Sequence, residues 1–301
     1  MRTSPALPYI EAFISVLFWS HAFVSIKYCL QSVTPLELVL LRHFPAMLVY
    51  LTYLAVTGSL RIIPDILRES PFAVIVGALS AVVAYHLPLN WGASHIPAGT
   101  TSLIVGTGPL FAFIFATMFI GEKRTWTKFL GIVVAFGGLY VCVAHAAGKE
   151  IAVTYWAGAA SVLLGAAVAG SNIAAYRHLA QKYGAIKTTS TTIVLGTLPA
   201  FFFASPDLIR KLPDLSWQFW AVDLFLGLGC TASAYLLWSD GLSRVEASRL
   251  SAFIYLVPLM GLIWAWVYLD EPVTLWIVLG AAMIISGVAI TNRRSANGVR
   301  T

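Results

Sequence analysis

The sequence predicts an all-α integral membrane protein: ten transmembrane helices built as two inverted five-helix repeats around a central cavity. Three observations predict it. Of the 301 residues, 59% are hydrophobic and 11% charged, against about 25% charged in soluble domains, and the mean hydropathy is +0.82. Ten apolar runs, each near the roughly 20 residues that cross about 30 Å of hydrocarbon, are separated by polar or Pro/Gly-rich breaks. One pattern also occurs twice at an offset of 149 residues: Gly108-Pro109-Leu110 falls on Val257-Pro258-Leu259, Glu122 on Glu271, Gly131 on Gly280 and Gly138 on Gly287. Residues 1–148 and 149–301 then form the two repeats. Five crossings in each force opposite orientations, the architecture of an alternating-access carrier.

The runs follow in order. The first, 8–29, carries Trp19, Ser20 and His21, is longer than a signal-peptide core, and ends at Lys27-Tyr28-Cys29 without a small-x-small cleavage site, so it is expected to stay as a span. The second, 35–57, holds Arg42 about seven residues in. Glu37 is five residues before it, a poor helical pairing, so a structural ion pair or snorkelling to the outer interface is expected of Arg42. The third, 70–91, has the densest polar set: His86 and Asn90 share a helical face with Tyr85 beside it, and Pro88 between them loosens the local hydrogen bonding. Such a face points at a cavity or a partner helix, not at lipid.

The fourth run, 97–120, and the ninth, 246–268, hold Pro109 and Pro258 at equivalent points. A proline there bends or opens the helix, either as a hinge or gate or as a fixed kink that shapes packing. The fifth, 127–146, and the tenth, 273–291, each place two glycines one heptad apart, which predicts a tight pair within the monomer or between two protomers. Glu122 and Glu271 read as helix-end groups held by the positive ends of those two helices. The sixth run, 154–177, is rich in Gly and Ala and ends on Ser171-Asn172 and Tyr176; the seventh is 188–205. The eighth, 217–239, carries Asp223, Tyr235 and Trp238, and the ninth adds Tyr255 and Trp264. Asp223 is a proton site or a group near the outer interface. Trp126, Trp156, Trp217 and Trp276 fall near span ends, where indoles anchor at the lipid interface.

Net charge is +6, and its placement decides its meaning. Fourteen of the nineteen Lys and Arg fall on the side that holds both termini, four on the other, and Arg42 within a span. By the positive-inside rule both termini are cytoplasmic, in a multi-pass protein of the cell's inner membrane, and nucleic acid is not the partner. The three cysteines lie in or at the ends of spans without disulfide or metal spacing. No HExxH, GxSxG or Cys-His constellation and no nucleotide-binding Gly-rich lysine motif occurs, which argues against an intramembrane enzyme, a metal site, a cofactor and direct use of ATP.

The order Tyr235, Gly241-Leu242, Ala247, Pro258-Leu259, Glu271, Gly280, Gly287 resembles the EamA repeat of the drug/metabolite transporter superfamily. The first half keeps Pro109-Leu110, Gly121-Glu122, Gly131 and Gly138 but has Asn90-Trp91-Gly92 where the second has Ser239-Asp240-Gly241. The resemblance covers essentially the whole chain, and beyond the motifs the sequence looks like the aromatic amino acid exporters of the YddG type. It implies ten helices around a central substrate cavity and export of amino acids or similar metabolites. An aromatic-lined cavity with amide and hydroxyl groups suits such a ligand. The expected substrate contacts are Trp19, His21, Tyr85, His86, Asn90, Asn172, Tyr235, Trp238 and Tyr255, with Pro88, Pro109 and Pro258 as hinge or gate. The partners are a small-molecule substrate and the bilayer, in a monomer or homodimer. Other metabolites or drugs remain as substrates, and a channel or receptor as the competing class, which substrate counterflow in liposomes separates.

Overall fold

The computed structural model describes residues 6–119, 125–146, 153–245 and 247–292, with side chains for all of these except 146, 172–178, 247–249, 251 and 292. Among the described residues every regular element is helical. Among these residues eight helical segments are long and apolar enough to cross a membrane, a ninth if a pair bent by 90° is counted as one span, and Leu275–Thr291 is a shorter apolar helix. The bent pair is α10 (Ala185–Thr197), run on as a 3-10 turn to Phe203, followed by α11 (Pro206–Lys211).

The α1 helix (Leu7–Cys29) and α2 (Pro35–Val56) are continuous. α2 starts at Thr34, whose hydroxyl accepts from the Glu37 N–H while the Glu37 carboxylate accepts from the Thr34 N–H at 2.8 Å, a capping box with Pro35 in the first turn. Glu37 therefore serves its own helix and lies 4.0 Å from Lys211; it is not the partner of Arg42. The short amphipathic α3 (Ile62–Glu69) leads to α4 (Pro71–Ala81) and α5 (Val83–His95), one span interrupted at Val82. Pro88 lies inside α5, and its carbonyl accepts from Ser161 Oγ at 2.8 Å.

The two prolines at equivalent positions break their spans at equivalent places. α6 (Ala98–Val105) ends before Gly106-Thr107 and α7 (Gly108–Phe119) follows, while α14 (Ala247–Ile254) and α15 (Leu256–Leu269) part at Tyr255. A proline clashes with the carbonyl four residues back, here Val105 and Ile254, the last residue of each preceding helix. The breaks meet. A Cβ on Gly106 would lie 3.2 Å from the Pro258 ring, and Ser102 Oγ donates to the Pro258 carbonyl at 3.3 Å.

α8 (Trp126–Ala146) packs along α16 (Leu275–Asn292), and the heptad glycines are the contact. A Cβ on Gly138 would fall 2.6 Å from the Gly280 carbonyl oxygen, and one on Gly287 would fall 2.4 Å from that of Gly131. The tight pair is formed within the chain. α9 (Val153–Tyr183) lies on α5 and α7. α12 (Trp217–Leu224) and α13 (Ala234–Arg244) are joined by a π-helical stretch, Phe225–Ser233, in a single span. α13 lies on α1, and α15 on α1 and α6. Trp126, Trp217, Trp276 and Trp156 are all exposed at helix ends on the apolar outer surface, where indoles suit a lipid interface.

Candidate functional site

A cavity of about 190 Å³ lies between α1, α2, α5, α13 and the two proline breaks. It falls below the ~300–1,000 Å³ of drug-sized pockets, so a small metabolite is the size of ligand it admits. Both breaks reach it, through Val105 and Gly106 from one span and Ile254 and Val257 from the other. Irregular backbone at membrane depth is tolerated where it lines such a space.

Its wall is aromatic and aliphatic with one fixed charge. α1 contributes Trp19, Ala22, Phe23 and Ile26, α5 Tyr85, His86 and Leu89, α13 Tyr235, and α2 Arg42. Trp19 packs edge-on to Tyr235, ring centroids 5.2 Å apart, and its indole N–H donates to the Cys230 carbonyl at 3.0 Å. Offset and edge-to-face rings of this kind hold a rigid aromatic wall.

Arg42 is the feature that a packed core does not explain. It is 4% exposed, and its Nε–H donates to Thr231 Oγ1 at 3.0 Å. Among the described residues no ion pair joins it to a carboxylate. Asp223 is also buried, 1% exposed with Oδ1 unpartnered, yet it is not within ion-pair distance of Arg42. A buried guanidinium is expensive unless paired. The cavity is where its counter-charge can arrive.

Behind Arg42 two imidazoles stand ring to ring, His43 and His86, centroids 4.3 Å apart. Each Nδ1 lies against the carbonyl four residues back, that of Val39 within α2 at 2.7 Å and that of Val82, just before α5, at 3.0 Å. A carbonyl only accepts, so each Nδ1 carries the hydrogen and each Nε2 of the neutral ring is an acceptor. His43 Nε2 is buried without a partner.

Of the residues expected from sequence to contact substrate, Trp19, Tyr85, His86 and Tyr235 line the cavity. Trp238 supports it from behind, packed on Trp19 at 5.3 Å. Asn90 is buried with its amide donating to the Pro35 carbonyl at 3.2 Å, so it ties α5 to the start of α2. Tyr255 stands at the second break, partly buried against the core. His21 faces away: its Nδ1 is 3.0 Å from Ser25 Oγ, and its ring sits among Phe225, Trp264 and Tyr268 at 5.3–5.4 Å. The side chain of Asn172 lies outside the described residues. Pro109 and Pro258 sit directly after the two breaks, whereas Pro88 lies within continuous helix.

Sequence reasoning missed Arg42 as a cavity residue, together with Thr231 and the π-helical stretch that holds it. The available signal was the failed pairing with Glu37, since an arginine seven residues into a span with no acid at helical spacing needs a partner from elsewhere.

One end of the cavity-lining helices is tied by charge. Glu271 Oε1 accepts from the Ala98 N–H at 2.6 Å and Oε2 from the Gly99 N–H at 2.9 Å. Glu271 thus caps α6, not the helix that follows it, because Asp270 turns the chain back at φ +52°, a left-handed conformation that Asp tolerates. Lys27 Nζ donates to the carbonyls of Ala93 and Ile96, both at 2.9 Å, closing the end of α5 beside it. Glu122, its counterpart by the repeat, lies outside the described residues. Among the described residues no cluster of three or more His, Cys, Asp or Glu could hold a metal ion.

The model of the EamA-like transporter family matches this chain twice, over residues 7–144 and 156–293. A transporter from Archaeoglobus fulgidus is 30% identical over 93% of this chain and 97% of its own length. A probable terminal-alkyne amino-acid exporter from Streptantibioticus cattleyicolor is 30% identical over 94% of this chain and 92% of its own. The transporter YdfC of Bacillus subtilis is also 30% identical, over 97% and 92%. A solved crystal structure superposes with a TM-score of 0.65 at 19% identity, covering 96% of this chain and 97% of that one, a likeness of fold.

Proposed function

This chain belongs to the EamA-like transporter family, and from that membership we propose that it is a secondary carrier that exports amino acids, aromatic ones favoured, across the inner membrane by alternating access. It is a multi-pass membrane transporter and not an enzyme. The observation that carries the substrate class is Arg42: a buried guanidinium, unpaired with any described carboxylate, in a small aromatic cavity. A ligand with a carboxylate supplies the missing charge, and an apolar or aromatic side chain fits the rings. An amino acid has both. The exporter of terminal-alkyne amino acids among the relatives supports the same class.

The carrier reading further holds that the chain is ten crossings in two inverted halves, residues 1–148 and 149–301, with both termini cytoplasmic. The double family match supports it, as does the recurrence of packing pairs: α1 on α13 is the counterpart of α9 on α5, and α15 on α1 that of α7 on α9. The two proline breaks then lie at the junction of the halves, where rearrangement would open the cavity to one side or the other. Monomer and homodimer both accommodate this mechanism.

The test is uptake of labelled phenylalanine and tryptophan into proteoliposomes, with counterflow by the unlabelled compounds and with Arg42→Gln beside the wild type. Saturable uptake, counterflow, and a loss of about 100-fold in the variant, the scale of a charge-assisted bidentate pair of roughly 3 kcal/mol, are expected. Uptake in the Arg42→Gln protein equal to wild type removes the carboxylate reading. Flux without counterflow makes the protein a channel.

A further inference from the structure

We propose that Thr231 is the positioning residue of the carboxylate site, and that the π-helical stretch exists to place it there. The inference rests on the reading of Arg42 given above. A guanidinium can meet a carboxylate along either of two edges, Nε with one Nη or the two Nη together. Thr231 Oγ1 occupies Nε at 3.0 Å, which leaves the Nη1–Nη2 edge for a two-point contact with an incoming carboxylate.

The polarity of that hydroxyl is fixed by the helix it stands on. Thr231 Oγ1 donates its single hydrogen to the Leu226 carbonyl at 2.9 Å, five residues back. Its lone pairs are then turned to Arg42. In an α-helix a threonine hydroxyl reaches the carbonyl three or four residues back, and a bond to the fifth belongs to the wide π register. Inserting one residue into a helix rotates the face beyond it by about 100°. The π register of Phe225–Ser233 thus decides that Thr231, not a neighbour, meets α2.

The wide turn is held from both flanking helices. Tyr50 Oη donates to the carbonyls of Thr231 and Ala232, both at 3.1 Å, Trp19 takes that of Cys230, and Ser15 Oγ that of Ala234 at 2.9 Å. Gly227 lets the turn approach closely, since a Cβ there would lie 2.6 Å from the Arg42 carbonyl oxygen. Trp19 both holds the turn and lines the cavity, so the frame of the guanidinium is continuous with the wall that meets the ligand. Isolated π turns of this kind recur at functional sites.

The experiment separates positioning from mere support. Thr231→Val keeps the shape and removes the hydroxyl; Thr231→Ser keeps the hydroxyl. In proteoliposomes with the full-length chain, the half-saturation concentration of labelled phenylalanine and the inhibition constant of phenylalaninamide, which has no carboxylate, are measured for each. Thr231→Val raises the phenylalanine constant about tenfold, the scale of one hydrogen bond to a charged group. It leaves the amide constant unchanged, and Thr231→Ser restores the wild-type ratio. Equal shifts in both constants, or no shift in either, overturn the positioning role. If Thr231→Val does not incorporate, Thr231→Ala is read the same way. Full phenylalanine affinity in Arg42→Gln is a different failure: it removes the carboxylate site itself, whatever Thr231 does.

Discussion

Glu271 reaches across 172 residues of sequence to Gly99, its Oε2 accepting from the Gly99 N–H at 2.9 Å while Oε1 takes the neighbouring N–H of Ala98. These are orphan donors of the first turn of α6, and a carboxylate on two of them satisfies the backbone and complements the positive end of the helix. Glutamine in its place has one acceptor and turns an amide donor toward a donor. Glu271→Gln is therefore expected to cost about 1–3 kcal/mol, seen as a lower melting temperature of the purified protein in detergent, with Glu271→Ala at least as low. A variant that melts with the wild type would show that the cap contributes nothing.

Adjacent glycines of α8 should differ sharply. A Cβ on Gly138 would lie 2.6 Å from the Gly280 carbonyl oxygen and as close to the Met283 Cβ, whereas one on Gly137 meets nothing nearer than the Met283 methyl at 3.4 Å. Gly138→Ala forces two helices apart and is expected to cost about 1–3 kcal/mol. Gly137→Ala is expected to be neutral or to gain as much as ~1 kcal/mol from helix propensity. Thermal melts of the two variants side by side test this, and equal behaviour would contradict the packing of α8 on α16.

That glycine pair shows what was legible in the sequence and why. A heptad of Gly in two runs reports packing because the spacing of small residues on a helix face is a local property. The prolines were legible for the same reason, since each acts on the carbonyl four residues back in its own chain. Arg42, Glu271 and Asn90 were not. Their partners are Thr231, the N-terminus of α6 and the Pro35 carbonyl, none at helical spacing, and a search within ±4 residues finds nothing. Likewise nothing in Phe225–Ser233 marks a π register, because the side chains that hold it come from α1 and α2. His21 stands apart from the cavity for another reason. A polar residue in a span must face away from lipid, but both the cavity and a box of aromatic rings meet that demand, and composition does not choose between them.

Tyr50 tests whether the π turn is held from outside. It is fully buried, and its hydroxyl serves two carbonyls of the turn. Tyr50→Phe keeps the ring and removes the one O–H that the two carbonyls share, a loss of about 1–3 kcal/mol. A lower melting temperature is expected, with weaker phenylalanine uptake because Thr231 loses its fixed place. Unchanged stability and uptake would mean that the π turn holds itself.

Arg42→Lys separates charge from geometry. A lysine would keep the positive charge in the cavity but has no planar fork: it cannot give Thr231 one N–H and still present two parallel donors to a carboxylate. If the cavity needed only a positive potential, Arg42→Lys would transport phenylalanine nearly as well as wild type while Arg42→Gln failed. The Nε–Thr231 bond at 3.0 Å argues the other way, because it uses the one nitrogen that leaves a symmetric two-point edge free. Uptake by Arg42→Lys is therefore expected to fall at least tenfold, close to the Arg42→Gln protein. Its half-saturation constant should rise while the maximal rate stays within a few-fold, since the loss is in holding the ligand and not in moving the helices. A lysine variant with wild-type affinity would show that charge alone draws the carboxylate, and would leave the π turn as packing.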